Sequence, residues 1–369
     1  MKKYKPDIVY VETSVEDSAI TKNVLSSLPH VSVQRIDSST ELLENARELN
    51  PSLARAKKSL VLAEHKGEFF KACPGQQVKG GSRNICCNYY VINFASNCHM
   101  ECSYCYLQAY LNFPHMVVYA NVEDLIAELV SQISNHPKQY FRVGTGELAD
   151  SLALDGFTGY SLPLVEFFSK QRNAVLELKT KSNQIQNLVG LNHNGRTVVA
   201  WSLNPPFIQF SEEHKTSSIE ERLTAAEKCV EAGYPVAFHF DPIIHYPEWR
   251  RDYRDLIKET FARIPSGSVA WISLGALRMP DTLKEVIQRR FPDSILPLGE
   301  LIPAPDGKLR YFKPIRTEMY ELMRKWVGEL GSDVPVYACM ERPEVWERVF
   351  GATHPSNEAL GDSLVQVVS

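Results

Sequence analysis

The apolar positions of this chain follow one rhythm from about residue 89 onward. Short runs rich in Val, Ile and aromatic residues alternate with stretches in which apolar residues recur three or four positions apart. The runs predict strands at 89–94, 141–146, 176–181, 197–204, 236–244 and 269–277. Strands that alternate with helices predict parallel βα units, because a parallel pair of strands needs a crossover connection.

Two of the intervening helices carry recognisable boundary signals. Residues 122–133 have apolar side chains at helical spacing, with Asn121 as the predicted N-cap. Ser217 and Glu220 have the spacing of a capping box, and Gly233 predicts the end of that helix. Both helices fall between predicted strands, as the βα rhythm requires.

The first 85 residues follow a different pattern and predict a small N-terminal α/β accessory region. A strand is expected at 7–11, a helix at 15–28 and a second strand at 31–36, whereas residues 40–68 are polar and are expected to be helical or irregular. The expected organisation is an accessory region at 1–85, the βα units at 86–320 and a C-terminal helical extension at 321–369.

The composition is that of a globular protein with a sizeable core and without a disulfide framework. Of the 369 residues, 44% are hydrophobic, which supports a sizeable core. The formal net charge of −4 gives no overall basic surface for nucleic acid but leaves room for a local basic groove. Eight cysteines in this length do not make a disulfide framework, and no apolar run reaches the roughly 18 residues of a membrane span. We therefore expect a cytoplasmic protein without a membrane partner.

The sharpest chemical signal is a group of three cysteines, Cys98, Cys102 and Cys105, which follows the first predicted strand of the βα series. Thiolates are the usual ligands of iron–sulfur clusters, and three of them leave the fourth iron of a 4Fe–4S cluster open to a substrate or cofactor. The alternatives are three unrelated core cysteines or a zinc site. Structural zinc normally takes four ligands, and His99 is the neighbouring candidate for the fourth.

The spacing of these cysteines resembles the radical S-adenosylmethionine (SAM) superfamily. Within it, the stretches Tyr-Tyr-Val-Ile-Asn-Phe-Ala-Ser-Asn-Cys at 89–98, Cys-Tyr-Leu-Gln at 105–108 and Trp-Ser-Leu-Asn at 201–204 are similar to spore photoproduct lyase. The resemblance implies a partial (βα)6 TIM-type barrel that holds a 4Fe–4S cluster on the three cysteines. It also implies that the open iron binds SAM and that the cluster splits SAM into methionine and a 5′-deoxyadenosyl radical.

Candidate SAM-binding residues lie at the ends of three predicted strands. Gly144, Gly146 and Glu147 resemble the family's glycine-glycine-glutamate element, in which glycines admit the ligand and a carboxylate accepts hydrogen bonds from its amino group. A glycine-rich strand end can also be an ordinary turn. Further along, Lys181 and Ser202 match SAM-contacting positions of the family, and Asn204 is a candidate partner for the methionine or ribose part.

The resemblance also implies the reaction. The radical would abstract hydrogen from a thymine dimer in DNA, the dimer would split, and hydrogen would return to the product, with Tyr104 and Tyr106 as relay residues. By the same matching, Arg310 and Tyr311 would lie near the lesion. The family's donor cysteine follows the second barrel strand, but residues 144–150 contain none, so the returned hydrogen needs another source. Three cysteines elsewhere and one tyrosine are candidates: Cys86, Cys87, Cys339 and Tyr106.

The implied enzyme is a carbon–carbon lyase of the DNA-repair type. Its implied partners are DNA that contains a pyrimidine dimer and an electron donor such as flavodoxin or ferredoxin. Two rival functions stay open. One is a radical SAM enzyme with a non-DNA substrate, and the other is a binding or sensing module that carries a cluster or, as a nucleic-acid module, zinc.

Overall fold

A computed structural model describes residues 4–42, 52–76, 84–352 and 356–368. The strands are β1 (Ile8–Glu12), β2 (Ser32–Ile36), β3 (Ser59–Ala63), β4 (Phe70–Ala72), β5 (Tyr89–Ile92), β6 (Ala95–Ser96), β7 (Glu101–Cys102), β8 (Met116–Tyr119), β9 (Phe141–Gly144), β10 (Ala174–Thr180), β11 (Thr197–Ser202), β12 (Glu213–His214), β13 (Val236–Ile243), β14 (Val269–Ala276), β15 (Arg278–Met279), β16 (Leu301–Pro303), β17 (Leu309–Tyr311) and β18 (Val336–Ala338). The α-helices are α1 (Ala19–Ser27), α2 (Leu53–Ala56), α3 (Leu107–Tyr110), α4 (Val122–Leu129), α5 (Asp155–Thr158), α6 (Ser161–Ser169), α7 (Pro206–Glu212), α8 (Ile219–Glu231), α9 (Trp249–Arg263), α10 (Asp281–Arg290), α11 (Lys313–Leu330), α12 (Pro343–Phe350) and α13 (Asn357–Gln366).

The central element is a curled eight-stranded sheet with the order β18-β14-β13-β11-β10-β9-β5-β4. The six strands predicted from the apolar runs are neighbours in this sheet and pair in parallel, which confirms the βα prediction and the partial barrel. The C-terminal region adds β18 in parallel at one edge, and β4 pairs antiparallel with β5 at the other. All six residues of β11 are buried, as expected for a parallel strand that is covered on both faces.

A second sheet, with the order β2-β1-β3-β8-β6, extends the N-terminal α/β region. The expectation for residues 40–68 was wrong in one respect, because β3 lies at the centre of this sheet and four of its five residues are buried. That expectation also covered residues 43–51, which lie outside the described part of the chain. The sheet further takes in β6 and β8, so residues on both sides of position 85 build it.

Of the two predicted helix starts, that of α8 needs correction, whereas α4 begins where predicted but without a side-chain capping bond. The capping box of α8 lies one residue later than predicted, since the Ser218 side chain accepts from the Glu221 N–H and Glu221 bonds back to Ser218. Asn121 precedes α4 but makes no side-chain cap. Its amide instead exchanges hydrogen bonds with the main chain of His65, at 2.9 and 3.1 Å. This tertiary contact joins α4 to the segment after β3.

Charged side chains fill part of the barrel interior. Arg142 on β9 donates to Glu177 on β10 over 2.9 Å and to the Tyr337 hydroxyl over 2.9 Å, and His239 on β13 bonds to the other Glu177 oxygen. Burial alone would raise the pKa of Glu177, but Arg142 and His239 hold it well below its usual value. Because Tyr337 lies on β18, the network connects strands on opposite sides of the curled sheet.

None of the described helices is long and apolar enough to span a bilayer.

Candidate active site

The three cysteines lie on one loop at the C-terminal edge of the barrel sheet. Asn97 begins the loop in a left-handed conformation, with a φ of 71°. Its side chain donates to the Pro114 carbonyl over 2.8 Å and accepts from the Cys98 N–H over 2.9 Å. The Cys98 sulfur accepts from the Met100 N–H over 3.5 Å. These bonds fix the start of the loop relative to the strands.

The second half of the loop is held by a short antiparallel pairing. Cys102 on β7 lies opposite Glu213 on β12, and the Cys105 N–H donates to the Cys102 carbonyl over 3.1 Å. All three cysteines belong to one side-chain cluster, whose other members are Met100, Tyr104 and Ala153. The loop therefore brings the three predicted ligands together.

The thiols have the chemistry that an iron–sulfur cluster needs. Burial raises the pKa of Cys98 to about 12 and that of Cys102 well above its usual range, and the neighbouring cysteines add to both effects. Thiolates in such a place require a cation to compensate their charge. A 4Fe–4S cluster would provide it, because each thiolate binds one of three iron atoms. The donor set fits such a cluster.

A zinc site would need a further ligand. The buried His99 ring packs on Tyr4, with 5.2 Å between ring centroids, and burial lowers the pKa of His99 to about 4. Among the residues that the structure describes, no three His, Cys, Asp or Glu side chains converge on a metal position, and this holds for the three cysteines as well. The case for a cluster therefore depends on the loop that the thiols share and on their chemistry.

The glycines at the end of the second barrel strand, β9, are in crowded surroundings. A Cβ atom on Gly144 would lie 1.5 Å from the Tyr89 hydroxyl oxygen, so a side chain cannot be added unless Tyr89 moves. A Cβ atom on Gly146 would lie 3.2 Å from the Lys179 Cβ atom. The close approach at Gly144 therefore has a reason in packing, in addition to the predicted need for space near SAM.

Glu147 presents a carboxylate with unused hydrogen-bonding capacity. Its Oε2 atom is buried and has no hydrogen-bond partner among the described residues. Burial raises the pKa of this carboxyl group, and Lys71 and Lys179 oppose the shift. An unsatisfied buried acceptor is costly, and an ammonium group would satisfy it. The Tyr106 hydroxyl donates to the Glu147 carbonyl over 2.9 Å, which joins the cysteine loop to this strand end.

Lys181 lies close to the cysteine loop. Its Nζ atom is 5.6 Å from the centre of the Tyr104 ring. Asp150 fixes the main chain here, because it accepts from the Lys181 N–H over 2.7 Å and from the Thr180 hydroxyl over 2.6 Å. The Tyr104 hydroxyl donates to Glu213, and burial raises the pKa of Tyr104 well above its usual value. Tyr104 is therefore a neutral, half-buried phenol beside a lysine.

Ser202 and Asn204 are tied to a buried ion pair. Arg222 donates to Glu213 over 2.5 Å and to the Ser202 carbonyl over 2.8 Å. The Asn204 amide donates to Glu213 over 2.9 Å and accepts from the Tyr253 hydroxyl over 2.6 Å. Both oxygen and nitrogen of the Asn204 side chain are thus engaged by the protein, which suits a positioning role for this residue.

Arg310 and Tyr311 are buried and are held by contacts within the protein. Arg310 is 4% exposed and forms ion pairs with Asp306 and, over 3.3 Å, with Glu341. The Tyr311 hydroxyl accepts from the His245 N–H over 3.0 Å. The exposed side chains around this β16–β17 hairpin include the apolar Leu298, Ile302 and Phe312 and the charged Glu300 and Lys313. The guanidinium that was expected near a lesion is therefore engaged by two carboxylates.

Two acidic residues hold the site together but were not found from the sequence. Glu213 contacts Tyr104 and Asn204, and Asp150 anchors the turn after β10. Glu213 stands in the polar run Ser-Glu-Glu-His-Lys at 211–215, where nothing in the sequence separates a buried glutamate from a solvated one. Only the pairing of β12 with β7 reveals its place.

The curled βα sheet with three thiols after its first parallel strand places this protein among the radical SAM partial barrels. The spore photoproduct lyase family model matches residues 4–304. The chain belongs to the spore photoproduct lyase family.

Relatives and solved structures agree with this assignment. The spore photoproduct lyase of Bacillus subtilis is 28% identical over 214 residues, which are 57% of this chain and 63% of the relative's length. That of a Geobacillus species is 28% identical over 248 residues, covering 65% of this chain and 73% of the relative. A spore photoproduct lyase complexed with dinucleoside spore photoproduct superposes with a TM-score of 0.79 at 24% identity, over 91% of this chain and 100% of the other. This likeness establishes the fold.

Proposed function

We propose that this protein is a radical SAM lyase that splits a pyrimidine dimer in DNA. The observation that carries the proposal is the family match over residues 4–304, which includes the loop with its three clustered thiols. The matched relatives are named spore photoproduct lyases, and one solved relative holds the dinucleoside lesion.

The cofactors follow from the donor set. The cluster and SAM, when bound, would supply an electron and a 5′-deoxyadenosyl radical able to abstract hydrogen. The residues that would hold the cluster are Cys98, Cys102 and Cys105. Glu147 would accept hydrogen bonds from the SAM amino group, because its Oε2 atom otherwise lacks a partner. Lys181 would pair with the SAM carboxylate, since its Nζ atom faces Tyr104 at the same loop.

The electron would come from a one-electron carrier of the flavodoxin or ferredoxin class. The substrate would be a thymine dimer whose bases leave the duplex stack, because the reacting carbon must come close to the cofactor. The exposed apolar side chains near the β16–β17 hairpin suit contact with bases, and the exposed Lys313 beside them suits contact with phosphate. Tyr311, the last residue of β17, would help to position the lesion through residues that it contacts, such as His245.

The test is turnover of a synthetic dinucleoside spore photoproduct by the anaerobic, cluster-loaded protein with dithionite and SAM. The expected result is formation of thymidine together with 5′-deoxyadenosine. Cleavage of SAM without thymidine formation would contradict the lyase function and leave a radical SAM enzyme for another substrate.

A second candidate function is a radical SAM reaction on a non-DNA substrate. It is favoured by the internal pairing of Arg310 and by that of Arg316, which donates to Glu341 over 3.0 Å, so neither guanidinium is offered to phosphate. The net charge of −4 points the same way. Duplex DNA binding whose affinity falls steeply with salt would argue against this candidate.

A further inference from the structure

Lys57 is a buried lysine that reaches the cysteine loop from the N-terminal α/β region. It follows α2, and its side chain is only 5% exposed. Its Nζ atom donates to the Met100 carbonyl over 2.8 Å, and Met100 lies between Cys98 and Cys102 along the chain. Lysine is rarely buried to this extent unless a negative charge compensates it. The position of Lys57 therefore points to a source of negative charge at the cysteine loop.

The main chain of Lys57 is fixed on the loop by a second contact. The Tyr4 hydroxyl donates to the Lys57 carbonyl over 2.9 Å, and the Tyr4 ring packs on His99 of the same loop. At the end of α2, the Lys57 N–H donates to the carbonyls of Leu53 and Arg55. These contacts hold the ammonium group of Lys57 at one place beside the loop.

The carboxylate that pairs with Lys57 is shared with other cations. The Glu101 Oε1 atom lies 4.0 Å from the Lys57 Nζ atom and 3.5 Å from that of Lys215, and its Oε2 atom pairs with Arg290. One carboxylate therefore faces three cations, which leaves an excess of positive charge at the segment between the first two cysteines. Lys215 is exposed to solvent and is screened by it, whereas the buried Lys57 is screened much less.

Lys57 is also close to the first predicted cluster ligand. The Met100 N–H donates to the Cys98 sulfur over 3.5 Å, while the Met100 carbonyl accepts from Lys57. Because the backbone of one residue spans at most about 3.6 Å, these two bonds place the ammonium within about 10 Å of that sulfur. Negative charge that develops at the sulfur or at the iron bound to it would be stabilised by Lys57.

We propose that Lys57 is a positioning residue for the cluster, whose ammonium holds the loop at Met100 and whose charge favours the reduced state. The inference rests on the proposed cofactors. Reduction adds one electron from the flavodoxin- or ferredoxin-class donor, forms no bond and leaves one more negative charge at the loop. Over about 10 Å, at an effective dielectric constant of about 20, one fixed cation shifts such an equilibrium by about tenfold or more. For one electron, a tenfold change corresponds to about 59 mV.

The test compares Lys57→Met with Lys58→Met in the anaerobic, cluster-loaded protein. Methionine keeps most of the length of the lysine side chain and removes its charge. Lys58 is the matched control, because it is the next residue in the chain but is 62% exposed and pairs with Asp7 over 3.6 Å. In a redox titration followed by electron paramagnetic resonance, the midpoint potential of Lys57→Met should be lower by about 59 mV or more, and that of Lys58→Met unchanged.

A second variant changes the charge in the opposite direction. Glu101→Gln removes the shared carboxylate and leaves its three cations, so the midpoint potential should rise. This variant also tests the proposal if Lys57→Met does not take up a cluster. In about 1 M salt the effect of Lys57→Met should persist, because a buried charge is weakly screened.

The outcomes separate the role of Lys57 from the presence of the cluster. A cluster-loaded Lys57→Met protein with an unchanged midpoint potential, or a Glu101→Gln protein whose potential does not rise, would overturn the role of Lys57 and leave the cofactors and the lyase in place. If the unchanged protein binds no iron, the proposed cofactors and the role of Lys57 are overturned together.

Discussion

Gly144→Ala is expected to destabilise the folded protein because its new methyl group meets a fixed phenol. The Cβ atom would lie 1.5 Å from the hydroxyl oxygen of Tyr89 and 2.4 Å from its Cζ atom, so the ring must retreat by about 2 Å to reach ordinary contact. Tyr89 is half-buried and hydrogen-bonds to Glu177, and the Arg142 guanidinium lies 5.0 Å from its ring centre.

The magnitude follows from what this displacement breaks. A hydrogen bond to a charged group contributes about 1.5–3 kcal/mol, and a desolvated cation–π contact about 2 kcal/mol. Gly144→Ala should therefore lower the free energy of unfolding by about 3–5 kcal/mol, which is more than ordinary overpacking of a core.

The assay is urea unfolding of the metal-free protein, followed by circular dichroism. Gly328→Ala is the matched control, because that glycine lies within α11 and a Cβ atom there meets nothing within 4 Å. It should stabilise the protein by about 0.5–1 kcal/mol. Shortening the obstructing side chain in Gly144→Ala/Tyr89→Leu should recover part of the loss. A Gly144→Ala protein within about 1 kcal/mol of the unchanged protein would refute the packing argument.

Three further predictions concern the site. Glu147→Gln should weaken SAM binding to the cluster-loaded protein about tenfold or more, since a charge-assisted hydrogen bond is lost; isothermal titration should show it, and an unchanged Kd would remove Glu147 from the site. Tyr106→Phe should raise the Kd for SAM about fivefold by loosening the Glu147 main chain, and it should lower the thymidine formed per SAM cleaved if the hydroxyl also relays hydrogen; if neither changes, the residue has no role. Arg222→Met should destabilise the protein by about 3–5 kcal/mol at pH 7, because Glu213 is left buried and unpaired. Burial alone would raise the pKa of Glu213, but Arg222 lowers it below its usual value. The stabilisation by the ion pair is therefore complete above about pH 4.3 and is lost as the pH falls through the lower folded-state pKa. The urea midpoints of Arg222→Met and the unchanged protein should converge in acid, and a difference in stability that is independent of pH would contradict the pairing.

The barrel was predictable because its strands are buried on both faces. Such strands read as continuous apolar runs, and β10, β11, β13 and β14 are almost wholly buried. By contrast, β3 is a five-residue apolar segment beside a polar stretch, so its central place in the second sheet depends on long-range pairing with β1 and β8. Pairing partners cannot be read from periodicity alone.

The sequence predicts a candidate site most sharply where one residue type has one dominant chemistry. Three closely spaced cysteines have few uses, and the fold brings Cys98, Cys102 and Cys105 together. An arginine has many uses. Arg310 resembled a substrate contact in sequence, yet it pairs with two carboxylates, one of them 31 residues away at Glu341.

Cys98, Cys102 and Cys105 are proposed to bind a cluster whose open iron allows SAM to be cleaved. This is tested by the iron content and low-temperature electron paramagnetic resonance spectrum of the anaerobically reconstituted protein, with 5′-deoxyadenosine measured after dithionite and SAM are added. We expect about four iron atoms per chain, a reduced 4Fe–4S signal that changes with SAM, and 5′-deoxyadenosine formation. All three should be lost in Cys102→Ala and retained in Cys229→Ala. A protein that binds no iron, a Cys102→Ala variant with an intact 4Fe–4S signal, or a reduced cluster that leaves SAM uncleaved would contradict it.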